Sequence, residues 1–144
     1  MSIGLWVRGA RPKTLVTSIA SVMVGAVMAY VHIERSGTCI AIYPEPASCA
    51  TAREQQTLLM DRFWPVTILC LLVALFLQIA VNYANDYSDG IRGTDAGRDM
   101  DESKSGKPQR LTASGLVPAK HVLFAAMICA AIACICGVVA VNVS

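Results

Sequence analysis

Three long runs without Lys, Arg, Asp or Glu constrain this chain more than any other feature. They cover residues 14–33, 63–85 and 122–144, and the first also contains His32 near its end. Each run has the roughly 20 residues that a helix needs to cross about 30 Å of hydrocarbon. A helix in a soluble core would instead carry a polar stripe. The sequence therefore predicts an all-α membrane protein with three transmembrane spans.

The composition agrees with a membrane chain and excludes several other classes. Hydrophobic residues make up 55% of the 144 residues and charged residues only 15%, against roughly 25% charged residues in a soluble domain. The apolar content excludes intrinsic disorder. The 12 basic and 10 acidic residues leave a net charge of +2, with no concentrated basic face, so we expect no nucleic-acid partner. The first expected partner is the lipid bilayer.

The basic residues predict the orientation of the spans. Segments 1–13 and 86–121 together contain nine Lys and Arg residues, whereas segment 34–62 contains three. By the positive-inside rule, the N-terminus and the 86–121 loop face the cytoplasm and the 34–62 loop lies outside. A cleaved signal peptide would usually have an apolar stretch of only about 7–15 residues. Five aromatic residues lie near the predicted span ends, as interfacial anchors do: Trp6, Tyr30, Trp64, Tyr83 and Tyr87.

The six cysteines fall into two groups. Cys39 and Cys49 lie in the predicted outer loop, where a disulfide and two unpaired residues remain equal alternatives. The other four lie inside the runs without zinc-site spacing and are predicted to be small apolar packing residues: Cys70, Cys129, Cys134 and Cys136.

Polar residues gather where the second run ends. Asn85 and Asp89 are four residues apart, and Asp86 and Asp89 are three apart. A continuing helix would therefore stack them on nearly one face. Carboxylates at a helix C-terminus oppose the helix dipole, and a bound divalent cation would reverse that effect. Oxygen ligands suit Mg²⁺, which is typically held by one or two carboxylates plus substrate phosphates. A functional role is therefore favoured over a merely solvated loop, whereas for Asp95 the two interpretations stay open.

Several basic residues lie on the same predicted side as the acidic cluster. Cations bind phosphate oxygens, and Arg can do so with two parallel hydrogen bonds. The positive-inside rule explains the same residues equally well without any ligand. The candidates for phosphate binding are Arg11, Lys13, Lys107 and Arg110.

The stretch Asn85–Asp95 reads NDYSDGIRGTD and resembles the first aspartate-rich motif of the UbiA superfamily of intramembrane aromatic prenyltransferases. The general pattern is NDxxDxxxD. Here Gly93 takes the last acidic position and Asp95 follows it, a spacing that resembles the naphthoate branch of the superfamily rather than the hydroxybenzoate branch. Two flanking segments agree, RPKTL at 11–15 and RLTASG at 110–115.

This resemblance implies an enzyme that uses Mg²⁺ to transfer a polyprenyl group from polyprenyl diphosphate to 1,4-dihydroxy-2-naphthoate. Diphosphate and CO₂ would leave, giving demethylmenaquinone. The implied catalytic residues are Asn85, Asp86 and Asp89. The implied metal ligands are Asn85, Asp89 and Asp95. The implied substrate-binding residues are Arg11, Lys13, Lys107 and Arg110.

Members of the superfamily have about nine spans, each long enough to cross the bilayer, and a second aspartate-rich motif in a later loop. We therefore expect residues 1–144 to form the N-terminal portion of one polytopic domain in the cytoplasmic (inner) membrane. That portion would be inactive alone and would need the remaining C-terminal part of the enzyme. The alternative is a small three-span protein that binds divalent cations or anionic partners through the acidic loop 86–110, without catalysis.

Overall fold

The computed structural model describes four parts of the chain, without the side chains of 46–49: residues 3–36, 46–92, 111–112 and 117–144. These parts contain no strand and form four helices: α1 (Ile3–Gly9), α2 (Pro12–Ser36), α3 (Pro46–Arg92) and α4 (Ala119–Val143). The helices α2, α3 and α4 are each long and apolar enough to cross a membrane. The predicted all-α, three-span architecture is therefore confirmed.

The helix α3 extends well beyond the uncharged run that predicted it. It has 47 residues, which correspond to about 70 Å of helix. The predicted outer loop 34–62 is therefore wrong in its second part, because residues 46–62 are helical. The stretch 47–64 contains no Pro or Gly, and eight of its 18 residues are Ala, Gln, Leu or Met. These residues favour a helix both inside and outside the membrane. The absence of charge marks the part of a helix that crosses hydrocarbon, not the ends of the helix.

The other end of α3 also differs from the sequence prediction. The predicted 86–121 loop is too wide, because α3 continues to Arg92 and α4 begins at Ala119. Asn85, Asp86 and Asp89 therefore lie on a helix and not in a loop. Residues 93–110 lie outside the described part of the chain, so the loop predicted there stays a prediction.

The sequence did not predict α1, because a seven-residue helix is shorter than the window that detects a span. Contacts with α3 hold it in place. The Tyr83 hydroxyl donates to the Trp6 carbonyl at 3.0 Å, and the two rings meet edge to face with centroids 5.6 Å apart. Because so short a helix is marginal on its own, this docking stabilises it.

The central element is α3, against which α1, α2 and α4 all pack. On α4, the buried residues Ala126, Ala133 and Ala140 recur every seven positions. Small side chains in such a row let two helices approach closely in a membrane, where association depends on packing. By contrast, α2 has no buried residue, so its apolar side chains are available to lipid.

The predicted free cysteines of the spans are present in α3 and α4, and none of these four forms a disulfide. Cys129 packs against the buried core, as predicted for a small apolar residue. Cys70 and Cys134 are exposed, so the predicted packing role is wrong for these two, whose side chains lie on helix faces that no other described helix covers. Cys39 and the side chain of Cys49 lie outside the described part of the chain, so their pairing stays a prediction.

Two aromatic clusters mark opposite ends of the membrane-crossing part of α3. Trp6 and Tyr83 form one cluster. Tyr30, Phe63 and Trp64 form the other cluster. The ring centroid of Phe63 lies 5.6 Å from that of Tyr30 and 5.2 Å from that of Trp64, and both pairs meet edge to face. Phe63 and Tyr83 are 20 positions apart on one helix, which corresponds to about 30 Å, the thickness of the hydrocarbon layer. The clusters therefore lie where interfacial anchors are expected.

A cluster of buried residues forms a core at the end of the bundle that carries Tyr83. It joins the corner between α1 and α2, the end of α3, the residues that precede α4, and α4 itself. Its buried members are Ala10, Tyr83, Leu111, Val117, Val122 and Ala126. This packed end is also the end at which the acidic residues of α3 lie.

Candidate functional site

The last turns of α3 place the three predicted catalytic residues on two different faces. Asn85 is exposed and Asp89 is half-buried, and their spacing of four residues puts them on one accessible face. Asp86 is only 2% exposed and lies on the packed face. The structure therefore groups Asn85 with Asp89 and separates Asp86 from them.

The carboxylate of Asp86 fastens the chain before α4 to the end of α3. Its Oδ2 accepts a hydrogen bond from the Leu111 backbone N–H at 2.8 Å. The Leu111 side chain is fully buried in the core. A backbone N–H in such a place needs an acceptor, and a carboxylate is a strong one. This contact is structural, and the predicted catalytic role of Asp86 stays a prediction.

Two glycines allow residues 111 and 112 to approach the helices this closely. A Cβ added at Gly9 would lie 2.8 Å from Cγ of Leu111. A Cβ added at Gly90 would collide with the Thr112 side chain. Because no real Cβ tolerates such distances, both positions require the smallest residue. Leu111 and Thr112, the two described residues of the RLTASG segment, thus pack tightly against Gly9 of α1 and Gly90 of α3.

Asn82 is a site residue to which the sequence analysis gave no role. It is 3% exposed, and its Nδ2 donates to the Ala10 carbonyl at 2.7 Å and to Thr14 Oγ1 at 2.8 Å. Its Oδ1 accepts from Gln78 Nε2 at 3.3 Å. The signal that points to it is its position, an amide inside an uncharged run where polar groups are costly unless paired.

The predicted phosphate-binding residues are only partly within the described chain. Arg11 is half-buried at the corner between α1 and α2, and Lys13 is exposed in the first turn of α2. The bonds from Asn82 bring this corner to the acidic end of α3. Lys107, Arg110 and Asp95 lie outside the described residues, and their roles stay predictions.

The accessible face of α3 carries two oxygen-bearing side chains, and the magnesium ion predicted from the sequence stays a prediction. Asn85 and Asp89 offer an amide oxygen and a carboxylate one turn apart, and oxygen is the ligand that Mg²⁺ prefers. Within the described ranges, no group of three or more His, Cys, Asp and Glu residues could hold a metal ion together.

The fold and the site define a class, a multi-span helical membrane protein with an oxygen-bearing polar site at one end of its central helix. Comparison with known proteins narrows this class. The 1,4-dihydroxy-2-naphthoate octaprenyltransferase of Mycobacterium tuberculosis is 38% identical over 138 residues, which is 96% of this chain and 36% of that protein. The protein of the same name from Mycobacterium leprae is 34% identical over 94% of this chain and 35% of its own length.

A third relative of the same name, from Haemophilus influenzae, is 30% identical over 82% of this chain and 28% of its own length. No protein-family model and no solved structure matches the chain. The chain spans about a third of the length of the curated relatives it matches. It is related to the 1,4-dihydroxy-2-naphthoate octaprenyltransferases, and the resemblance that the acidic motif indicated is confirmed.

Proposed function

We propose that this chain supplies the first three spans and the first acidic motif of a membrane prenyltransferase. Its substrates are a polyprenyl diphosphate and 1,4-dihydroxy-2-naphthoate, and its product is demethylmenaquinone. The observation that carries the proposal is the 38% identity to a protein of that name over 138 residues. An alignment of that length within 144 residues necessarily includes residues 85–95.

The accessible face of α3 is where we place the metal. Asn85 and Asp89 would hold it, and Asp95 would complete the set. When bound, Mg²⁺ supplies charge neutralisation for the leaving diphosphate. Mg²⁺ held by so few protein oxygens would take water and diphosphate oxygens as its other ligands.

The basic residues hold the donor. Arg11 and Lys13, with Lys107 and Arg110, bind diphosphate oxygens, and arginine contributes paired hydrogen bonds. The allylic C–O bond of the donor breaks, a ring carbon of the naphthoate forms the new C–C bond, and its carboxylate leaves as CO₂. The apolar spans keep water away from the reacting carbon.

The site lies on the cytoplasmic face of the cytoplasmic membrane, with the N-terminus and residues 86–121 on that side. The nine basic residues of segments 1–13 and 86–121 support this orientation. The aromatic clusters at Tyr83 and Phe63 support a hydrocarbon layer between them. Further helices from a C-terminal part complete the cavity that the reaction needs.

The experiment uses the full gene product that contains these residues, reconstituted in lipid nanodiscs with polyprenyl diphosphate and Mg²⁺. With 1,4-dihydroxy-2-naphthoate we expect a prenylated, decarboxylated product by mass spectrometry, and none after chelation of the metal. With 4-hydroxybenzoate as the control acceptor we expect no product. Residues 1–144 alone should give no turnover. Failure of the full product to prenylate the naphthoate would refute the proposal, and preference for 4-hydroxybenzoate would reassign the acceptor.

A further inference from the structure

We propose that Asn82 is a positioning residue for Arg11. It holds the corner between α1 and α2 so that the backbone from which the Arg11 side chain extends lies at a fixed place relative to the predicted oxygen ligands of α3. The inference rests on the proposed function, because it gives Arg11 the diphosphate as its ligand. Asn82 itself does not touch the substrate.

The hydrogen bonds of Asn82 cross from α3 to the peptide groups on both sides of Arg11. Its Nδ2 donates directly to the Ala10 carbonyl at 2.7 Å, which belongs to the peptide group before Arg11. It also donates to Thr14 Oγ1 at 2.8 Å. The Thr14 hydroxyl in turn donates at 2.9 Å to the Arg11 carbonyl, which belongs to the peptide group after Arg11 and also accepts the Thr14 backbone N–H at 2.9 Å.

The backbone of Arg11 is one that an L residue rarely adopts without support. Its φ is +51°, and among the described residues it is the one non-glycine residue with a positive φ. The left-handed region is uncommon for residues other than Gly, Asn and Asp. Pro12 follows, and a proline further restricts the conformation of the residue before it. Such a residue persists when its surroundings determine it, and this occurs preferentially at functional sites.

Burial makes the hydrogen bonds of Asn82 important for stability. Asn82 is 3% exposed within the apolar span of α3, where an amide left unpaired would be costly. Both donor hydrogens of its side chain are used for the corner. A residue chosen only for packing at this position would be apolar, as its neighbours Ala80 and Val81 are.

The register along α3 connects the corner to the metal face. Asn82 lies three positions before Asn85 and seven before Asp89 on one continuous helix. Its hydrogen bonds therefore fix how far Arg11 stands from both predicted ligands. A diphosphate has oxygens for a metal at one end and for a guanidinium at the other, so this distance decides whether both can bind it at once.

The test uses the full gene product in nanodiscs and two pairs of variants. Asn82→Leu keeps the volume and removes both donors, and Asn142→Leu is its control, because the Asn142 amide only donates to the Val138 carbonyl of its own helix. Thr14→Val removes the relaying hydroxyl, and Thr14→Ser restores it. If Asn82→Leu fails to fold, the Thr14 pair decides alone.

We expect Asn82→Leu and Thr14→Val to raise KM for the polyprenyl diphosphate about tenfold, the scale of one hydrogen bond to a charged group. The KM for the naphthoate should stay unchanged. Thr14→Ser and Asn142→Leu should retain wild-type values. In an Arg11→Ala background, Asn82→Leu should add no further effect, because two residues that act through one interaction are not additive.

A second measurement, the affinity for inorganic diphosphate with Mg²⁺, separates this inference from the proposed function. If the wild type binds diphosphate without transferring a prenyl group, and Asn82→Leu weakens that binding about tenfold, the proposed function fails and the inference stands. Two results overturn the inference: a wild type that binds no diphosphate, or an effect of Asn82→Leu that is equal for both substrates and additive with Arg11→Ala.

Discussion

Replacing Asp86 by Ala removes the acceptor of the Leu111 N–H and separates a structural from a chemical role for this carboxylate. The bond is 2.8 Å long, and both residues are almost fully buried, at 2% and 0% exposure. Water is therefore poorly placed to substitute for the lost oxygen. The expected consequence is that residues 111 and 112 detach more often from the end of α3.

The size of the effect follows from the charge and burial of the bond. A hydrogen bond to a charged group contributes about 1.5–3 kcal/mol, so Asp86→Ala should speed local opening by roughly 10- to 150-fold. Asp86→Asn keeps an oxygen of the same reach without the charge. Because a neutral bond retains about 1 kcal/mol, its effect should be several-fold smaller.

The assay is amide hydrogen exchange of the nanodisc-embedded protein, read at the Leu111 amide. Local opening controls this exchange, so its rate reports the free energy of detachment directly. Asp61→Ala serves as the control, because Asp61 is an exposed carboxylate on the same helix, and it should leave the Leu111 rate unchanged. An unchanged Leu111 rate in Asp86→Ala would refute the structural role. Loss of turnover together with that unchanged rate would favour the catalytic role predicted from the sequence.

Three further predictions follow from other contacts. Gly9→Ala forces a Cβ to within 2.8 Å of Leu111 Cγ and should lower the free energy of unfolding by about 1–3 kcal/mol. Gly25→Ala is the control, because a Cβ added at Gly25 meets nothing within 4 Å, and it should be neutral or stabilising by up to about 1 kcal/mol. Steric-trap unfolding in bilayers measures the free energy of unfolding of both variants. Equal free energies for the two would contradict the packing argument. Tyr83→Phe loses a 3.0 Å bond to α1 worth about 1 kcal/mol, so amides of α1 should exchange faster and those of α4 should not. Asp89→Ala should lower Mg²⁺-dependent kcat/KM at least about 100-fold, whereas retained activity would remove Asp89 from the ligand set.

The spans were predictable because hydropathy acts over about 20 residues and the bilayer imposes one length. The three uncharged runs lie within α2, α3 and α4 or, for the last, reach one residue past it. Helix length was not predictable in the same way. Residues 46–62 extend α3 through ordinary helix propensity. Residues 86–92 include Asp, Ser and Gly, which are poor helix formers, and there the helix is packed against residues 111 and 112. No charge pattern reports either effect.

The candidate site was predicted in its chemistry and not in its packing. The spacing of Asn85 and Asp89 on a helix follows from the chain order alone. Asp86 points into the core because it binds the Leu111 N–H. Asn82 is buried because it binds the Ala10 carbonyl, which lies 72 positions earlier in the chain. Contacts between residues so far apart leave no local signature in one sequence.

That separation has a consequence for how the chain assembles during synthesis. The Ala10 carbonyl and the Trp6 carbonyl receive their partners from residues 72 and 77 positions later. At about 5–20 residues per second, the ribosome needs about 4–15 s to bridge that distance. During this interval α2 is already long enough to enter the bilayer. The corner that carries Arg11 still lacks its hydrogen bonds to α3. The hydrogen bonds from Asn82 and Tyr83 to this end of the chain can therefore form only after the helix with the acidic motif has been synthesised.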